Sequence, residues 1–183
     1  AGQTATVDIT LLPTGNLTGT VRHADGTPAV SVYVEISNSG YYYYTYTDGN
    51  GVYLFPDVVA GQYQLYVQEP NTGIPVTRQV ALPASQTTTA DVTFFALGSV
   101  NLLVQRANGA AAPGSLVYIS RAANGFEHAG YTDSSGRILI PFVPAGAFTI
   151  RAHVPANTSV YVDVAGQLDT NGHVVPMTAT LPA

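Results

Sequence analysis

A block of residues near position 50 returns 85 positions later, and this repetition limits the possible folds more than any other feature of the chain. Thr47-Asp48-Gly49-Asn50-Gly51-Val52-Tyr53-Leu54-Phe55-Pro56 is answered by Thr132-Asp133-Ser134-Ser135-Gly136-Arg137-Ile138-Leu139-Ile140-Pro141. At the same spacing Ala60-Gly61-Gln62-Tyr63-Gln64-Leu65 meets Ala145-Gly146-Ala147-Phe148-Thr149-Ile150, and Pro28 meets Pro113. Upstream the spacing becomes 83, where Asp25-Gly26 pairs with Asn108-Gly109. A slip of two residues between matched blocks is what a difference in loop length produces. The 183 residues therefore read as two copies of one small domain rather than a single large one.

Each copy has the pattern of antiparallel strands. Tyr63, Leu65 and Val67 alternate with Gln62, Gln64 and Tyr66, while Tyr53 and Phe55 share one face; Ile138, Ile140, Phe148 and Ile150 repeat this in the second copy. A period of two over short runs, bounded by Gly, Asp, Asn and Pro, predicts half-buried strands. Asp25-Gly26, Asp48-Gly49-Asn50-Gly51, Asn108-Gly109 and Asn124-Gly125 supply turn residues that tolerate positive φ. No 3.6-residue period is sustained anywhere. Regularly spaced short strands without helices predict an all-β sandwich, with Tyr53, Phe55, Tyr63, Leu65, Val67, Ile138, Ile140, Phe148 and Ile150 in the cores.

The first copy runs Leu17-Thr18-Gly19-Thr20-Val21, Asp25-Gly26-Thr27-Pro28, Val32-Tyr33-Val34, then Thr47-Asp48-x-x-Gly51-x-Tyr53-x-Phe55 and Ala60-Gly61-x-Tyr63-x-Leu65-x-Val67. This order resembles the carboxypeptidase regulatory-like domain, a transthyretin-like sandwich related to the collagen-adhesin B-type repeats of bacterial surface proteins. The match covers most of residues 17–96 and is weaker over 99–183. The resemblance implies two tandem immunoglobulin-like (transthyretin-like) β-sandwich domains serving as structural or spacer modules outside cells. Collagen-adhesin repeats often carry a Lys–Asn isopeptide cross-link, which a chain without lysine does not make, so rigidity is left to packing.

Composition narrows the function classes. Only 9% of residues are charged, the six basic ones are scattered arginines, and the net charge is −5, a balance that argues against nucleic acid as a partner. Weak charge repulsion leaves the chain tolerant of association with other copies of itself. The absence of cysteine removes disulfides, thiol nucleophiles and thiolate metal sites. Apolar stretches are too short for a membrane span, and Ala1-Gly2-Gln3-Thr4 has no leader character. His23, His128, His153 and His173 show no metal-ligand spacing, and Asp48, Asn50 and Asp133 read as turn residues rather than calcium ligands. No catalytic residues, cofactor or metal are expected.

Asp8-Ile9-Thr10-Leu11-Leu12 matches Asp91-Val92-Thr93-Phe94-Phe95, and Met177-Thr178-Ala179-Thr180-Leu181-Pro182 resembles both. Two domain bodies thus carry three versions of one closing strand. The extra N-terminal strand has three readings: an arm given to a neighbouring subunit through Val7, Ile9 and Leu11, the remnant of a longer repeat array, or the first strand of its own domain. Strand donation of this kind, head to tail, builds a filament.

Tyr41-Tyr42-Tyr43-Tyr44-Thr45-Tyr46 alternates across a strand, so one set of rings faces outward and offers a surface for glycans or another subunit. Asn16-Leu17-Thr18 and Asn157-Thr158-Ser159 place glycosylation sequons at Asn16 and Asn157. Leu12-Pro13-Thr14-Gly15 and Ile74-Pro75-Val76-Thr77-Arg78 read as loop. The expected organisation is a strand-forming arm at 1–13 and sandwiches at 14–96 and 97–183. The expected function is a non-enzymatic structural subunit of an extracellular filament or cell-surface stalk, with a carbohydrate-binding module as the alternative.

Overall fold

The computed structural model describes residues 3, 8 and 10–182, and every regular element among them is a β-strand. The chain divides into two compact units, Ala1–Val21, Pro28–Gln68, Val76–Val92 and Arg22–Thr27, Glu69–Pro75, Thr93–Ala183. The first copy supplies β1 (Thr14–Arg22), β2 (Tyr33–Ser37), β3 (Tyr42–Tyr46), β4 (Val52–Val59), β5 (Gly61–Gln68), β6 (Pro75–Leu82), β7 (Thr87–Thr89) and β8 (Val92–Thr93). The second supplies β9 (Leu97–Arg106), β10 (Leu116–Arg121), β11 (Phe126–Tyr131), β12 (Arg137–Pro144), β13 (Gly146–Val154), β14 (Asn157–Leu168) and β15 (Val174–Leu181).

The two copies share one topology. In the first, one sheet runs β4-β1-β7 with β8 also on β1, and the other runs β3-β2-β5-β6. In the second the sheets are β12-β9-β15 and β11-β10-β13-β14. The opening strand pairs antiparallel with β4 or β12, and parallel with the closing strand, β7 or β15. Alternation sets the cores: Leu17 and Val21 face inward from β1, Tyr63, Leu65 and Val67 from β5, and Val100, Leu102 and Val104 from β9. Tyr53, Phe55, Ile140, Phe148 and Ile150 are buried as their period implies. Ile138 is only half-buried, with its Cδ1 against Gly130.

The slip between spacings of 83 and 85 lies in one hairpin. The last pair between β2 and β3 is Ser37 with Tyr42, whereas β10 and β11 continue to Arg121 with Phe126. One added residue on each strand shifts every downstream match by two. This corrects the pairing of Pro28 with Pro113. Ala29 donates to the Val21 carbonyl and Ala112 to that of Val104, so Ala111 occupies the place of Pro28. The expected loops also differ: Thr14 and Gly15 open β1, and Pro75 opens β6, an edge strand whose first position accommodates a residue without an N–H.

A duplicated threonine clasp holds each body. The Thr47 hydroxyl donates to the Ala29 carbonyl (2.6 Å) and accepts from the Val32 N–H (2.9 Å). Thr132 does the same with Ala112 (2.7 Å) and Ser115 (3.0 Å), and both threonines are buried. In the turn that follows, Gly51 and Gly136 both sit at φ 74°, where a side chain would strike the carbonyl of Val21 or Val104. The cores differ by an exchange of volume. Gly19 faces Tyr53 across the sheet in the first copy, while Leu102 faces Ile138 in the second. A Cβ on Gly19 would collide with the Tyr53 ring and the Ala90 carbonyl, so the large ring requires the glycine, as close-packed interiors demand.

Candidate functional site

Strand β3 lies at the edge of its sheet and turns Tyr42, Tyr44 and Tyr46 to the outside, with Tyr44 60% exposed. Tyr43 and Thr45 point to the opposite face and are half-buried. Cross-strand register sets Tyr46 opposite Tyr33, Tyr44 opposite Glu35 and Tyr42 opposite Ser37, with Tyr66 of β5 beyond Glu35. The rings pack on one another: Tyr33 stacks on Tyr44 at 6.0 Å and meets the edge of Tyr46 at 5.7 Å. Such aromatic pairs add roughly 0.5–1.5 kcal/mol beyond area burial.

Hydroxyls tie the ladder together. The Tyr33 hydroxyl donates to Glu35 Oε2 at 3.1 Å and shares a hydrogen bond with the Tyr42 hydroxyl. That bond to Tyr42, with burial and the Glu35 carboxylate behind it, holds the Tyr33 phenol well above its ordinary pKa. On the inner side, Tyr43 meets the edge of Tyr63 at 6.2 Å. Chemically the outer face is a preorganised set of flat amphipathic rings, suited to stacking or to contact with another protein and holding no reactive group.

The other sequence-predicted residues are dispersed. Val7 and Ile9 lie outside the described residues. Leu11 is 84% exposed, and residues 10–13 belong to no strand; Pro13 fixes the segment by accepting the Ala60 N–H. The place beside each opening strand is filled from within the chain, by β7 and β8 in one copy and by β15 in the other. Asn16 is half-buried with its Oδ1 accepting the Asp57 N–H, whereas Asn157 is exposed and caps the Ser159 N–H.

Turn carboxylates serve the backbone. Asp48 Oδ1 accepts from the N–H groups of Asn50 and Val52, and Asp133 Oδ1 from those of Ser135 and Arg137. The Ser135 hydroxyl, then these backbone bonds, lower the Asp133 pKa. Among the described residues no three His, Asp or Glu side chains gather to hold a metal, and no helix is long and apolar enough to cross a membrane.

Sequence reasoning did not single out the corresponding outer face of the second copy, where Tyr118, Arg151, His153, Tyr161 and Asp163 converge. Only Tyr118 and Tyr161 offered a signal, as aromatic residues within strand-like runs.

Residues 16–94 match the model of the carboxypeptidase regulatory-like domain. No curated protein matches the chain. Among solved structures, GBS52, the minor pilin of Streptococcus agalactiae, is similar with a TM-score of 0.62 at 15% identity, over 92% of this chain and 95% of that one. A streptococcal ancillary pilin gives 0.55 at 16% identity, over 92% of this chain and 62% of that one. The Bacillus anthracis TIE protein gives 0.45 at 15% identity, over 93% of this chain and 34% of that one. The chain thus spans about a third of the TIE protein and less than two thirds of the ancillary pilin. At such identities the likeness is one of fold.

Proposed function

Taking residues 16–94 as a carboxypeptidase regulatory-like domain, we propose that the chain is a non-catalytic structural subunit of an extracellular fibre or cell-surface stalk. Each subunit comprises two domains, 14–96 and 97–183, and subunits assemble head to tail. One observation carries this reading. Leu11 and Leu12 are exposed in a segment that repeats the closing-strand sequence, and residues 10–13 pair with no strand of their own chain. An exposed apolar segment with strand character, tied to its own chain at Pro13 and lying in no strand over residues 10–13, is suited to pairing with a second copy. Since each copy already owns its closing strand, the arm is given to an exposed sheet edge rather than to a vacant slot. Pilins share the fold, and the low charge offers little repulsion between subunits.

The test is negative-stain electron microscopy of the full chain beside a truncation lacking residues 1–13, over a range of concentrations. Filaments from the full chain alone are expected. Equal behaviour of the two proteins would overturn the role of the arm.

A second reading, a carbohydrate-binding accessory module, rests on the outward rings of Tyr42, Tyr44 and Tyr46. Glycan binding lost on substitution of these three by alanine would support it. Asn157, being exposed, is the better placed of the two sequons for modification. Asn16 would have to release the Asp57 N–H.

A further inference from the structure

The outer faces of the two four-stranded sheets follow the same plan and carry different chemistry. Register makes Tyr118 the counterpart of Glu35, Glu127 that of Tyr42, Ala129 that of Tyr44 and Arg151 that of Tyr66. Where the first copy piles Tyr44 onto its neighbours, the second has only the methyl group of Ala129. On this face lies a cleft of about 450 Å³, lined by residues that include Tyr118, Glu127, Thr149, Arg151, His153 and Asp163; Ala129 is the cross-strand neighbour of Tyr118 at its side. Its volume lies within the range of small-ligand clefts.

Arg151, Asp163 and His153 are held by neighbouring groups before any ligand arrives. Arg151 Nε and Nη2 each donate to Asp163 at 2.8 Å, and the guanidinium lies 3.9 Å from the centroid of the Tyr161 ring. A bidentate ion pair stacked on an aromatic face leaves little rotamer freedom to lose on binding. His153 points from β13 toward the outer face yet is only 8% exposed, held between Tyr118 (5.6 Å) and Tyr161 (5.5 Å). Its Nδ1 is bonded to the Thr158 carbonyl, while Nε2 has no protein partner. Tyr118, 45% exposed, provides an open ring beside these groups.

We propose that this cleft binds a neutral sugar residue of a glycan, its apolar face stacked on Tyr118 and its hydroxyls bonded to Arg151, Asp163 and Glu127. Arg151 is neutralised by Asp163, so Glu127 leaves the cleft net negative and disfavours sialylated, sulfated or phosphorylated ligands. The N–H groups of Arg151 and the carboxylate lone pairs of Asp163 that their mutual ion pair leaves unused suit single hydroxyls of a pyranose, and a ring platform suits its C–H face. The site is independent of the arm and of the tyrosine ladder.

The test is a glycan array presenting neutral hexose and N-acetylhexosamine oligomers beside sialylated and sulfated ones, followed by calorimetric titration of the best neutral oligomer into the full chain. Wild-type protein is expected to select neutral glycans. Tyr118→Ala and Glu127→Gln should each weaken binding by about 10-fold. Ala129→Tyr, which restores the ring that the first copy tolerates at this position, should abolish binding with the thermal midpoint preserved. Tyr44→Ala should leave affinity unchanged. Binding to acidic glycans alone, no binding to any glycan, or wild-type affinity in Tyr118→Ala and Ala129→Tyr would overturn the assignment.

Discussion

Replacing Thr47 with valine removes a hydroxyl while keeping the shape of the side chain. It breaks two buried hydrogen bonds at once, to the Ala29 carbonyl and from the Val32 N–H. The remaining bonds of this junction, Thr47 N–H to the Val32 carbonyl and Ser31 N–H to the Thr47 carbonyl, keep the backbone in place, so the two orphaned groups have no easy route to water. Each unpaired buried group costs about 1–3 kcal/mol. Burying a methyl group where the hydroxyl stood returns about 1 kcal/mol. The expected net loss is about 3 kcal/mol. Thr47→Ser keeps both hydrogen bonds and loses only a methyl group, for about 1 kcal/mol. Urea denaturation followed by tyrosine fluorescence reads this directly, because nine of the twelve tyrosines precede residue 97 and there is no tryptophan. Thr132→Val should cost the second copy as much, with far-ultraviolet circular dichroism as the readout. A Thr47→Val variant no less stable than Thr47→Ser would refute the view that the clasp is held by its hydroxyl.

Three further outcomes are expected. Ser31 is in the left-handed region at φ 57° where the second copy has Gly114 at φ 72°, so Ser31→Gly should stabilise by about 0.5–1 kcal/mol in the same urea titration. Gly136→Ala should destabilise by at least about 2 kcal/mol, judged by thermal melting, because positive φ and contact with the Val104 carbonyl act together. Burial, and then the Asp91 carboxylate, push the Tyr53 phenol above its ordinary pKa of 10.0; the unfolded chain therefore gives up this proton first as pH rises. Stability should hold below pH 10 and fall above it. Tyr53→Phe, which also gives up the bond to the Ala90 carbonyl, should flatten that decline when urea midpoints are followed from pH 9 upward.

The legible part of this protein was the part that repetition and alternation encode. Two copies, strands rather than helices, and inward-facing Tyr53, Phe55, Tyr63, Leu65, Val67, Ile140, Phe148 and Ile150 follow from a period of two and from matched blocks, because burial on one face of a strand is a local rule. The two-residue slip was legible as a loop difference, but its place in the β10–β11 hairpin was not, since either strand or turn can absorb an added residue. The outward set of the tyrosine run was equally undecided. Alternation separates Tyr42, Tyr44 and Tyr46 from Tyr43, and only the register with Tyr33 and Glu35 chooses which set meets solvent. Tertiary structure alone brought Tyr118, Arg151, His153, Tyr161 and Asp163 together from three strands, and it alone made an outward-facing histidine a buried one. The same holds for Glu69, fully buried in a loop whose Asn71 and Thr72 donate four hydrogen bonds to its carboxylate. Periodicity tells a strand which way to face; the groups that meet on that face are set by which strands lie side by side, and that is decided by long-range pairing.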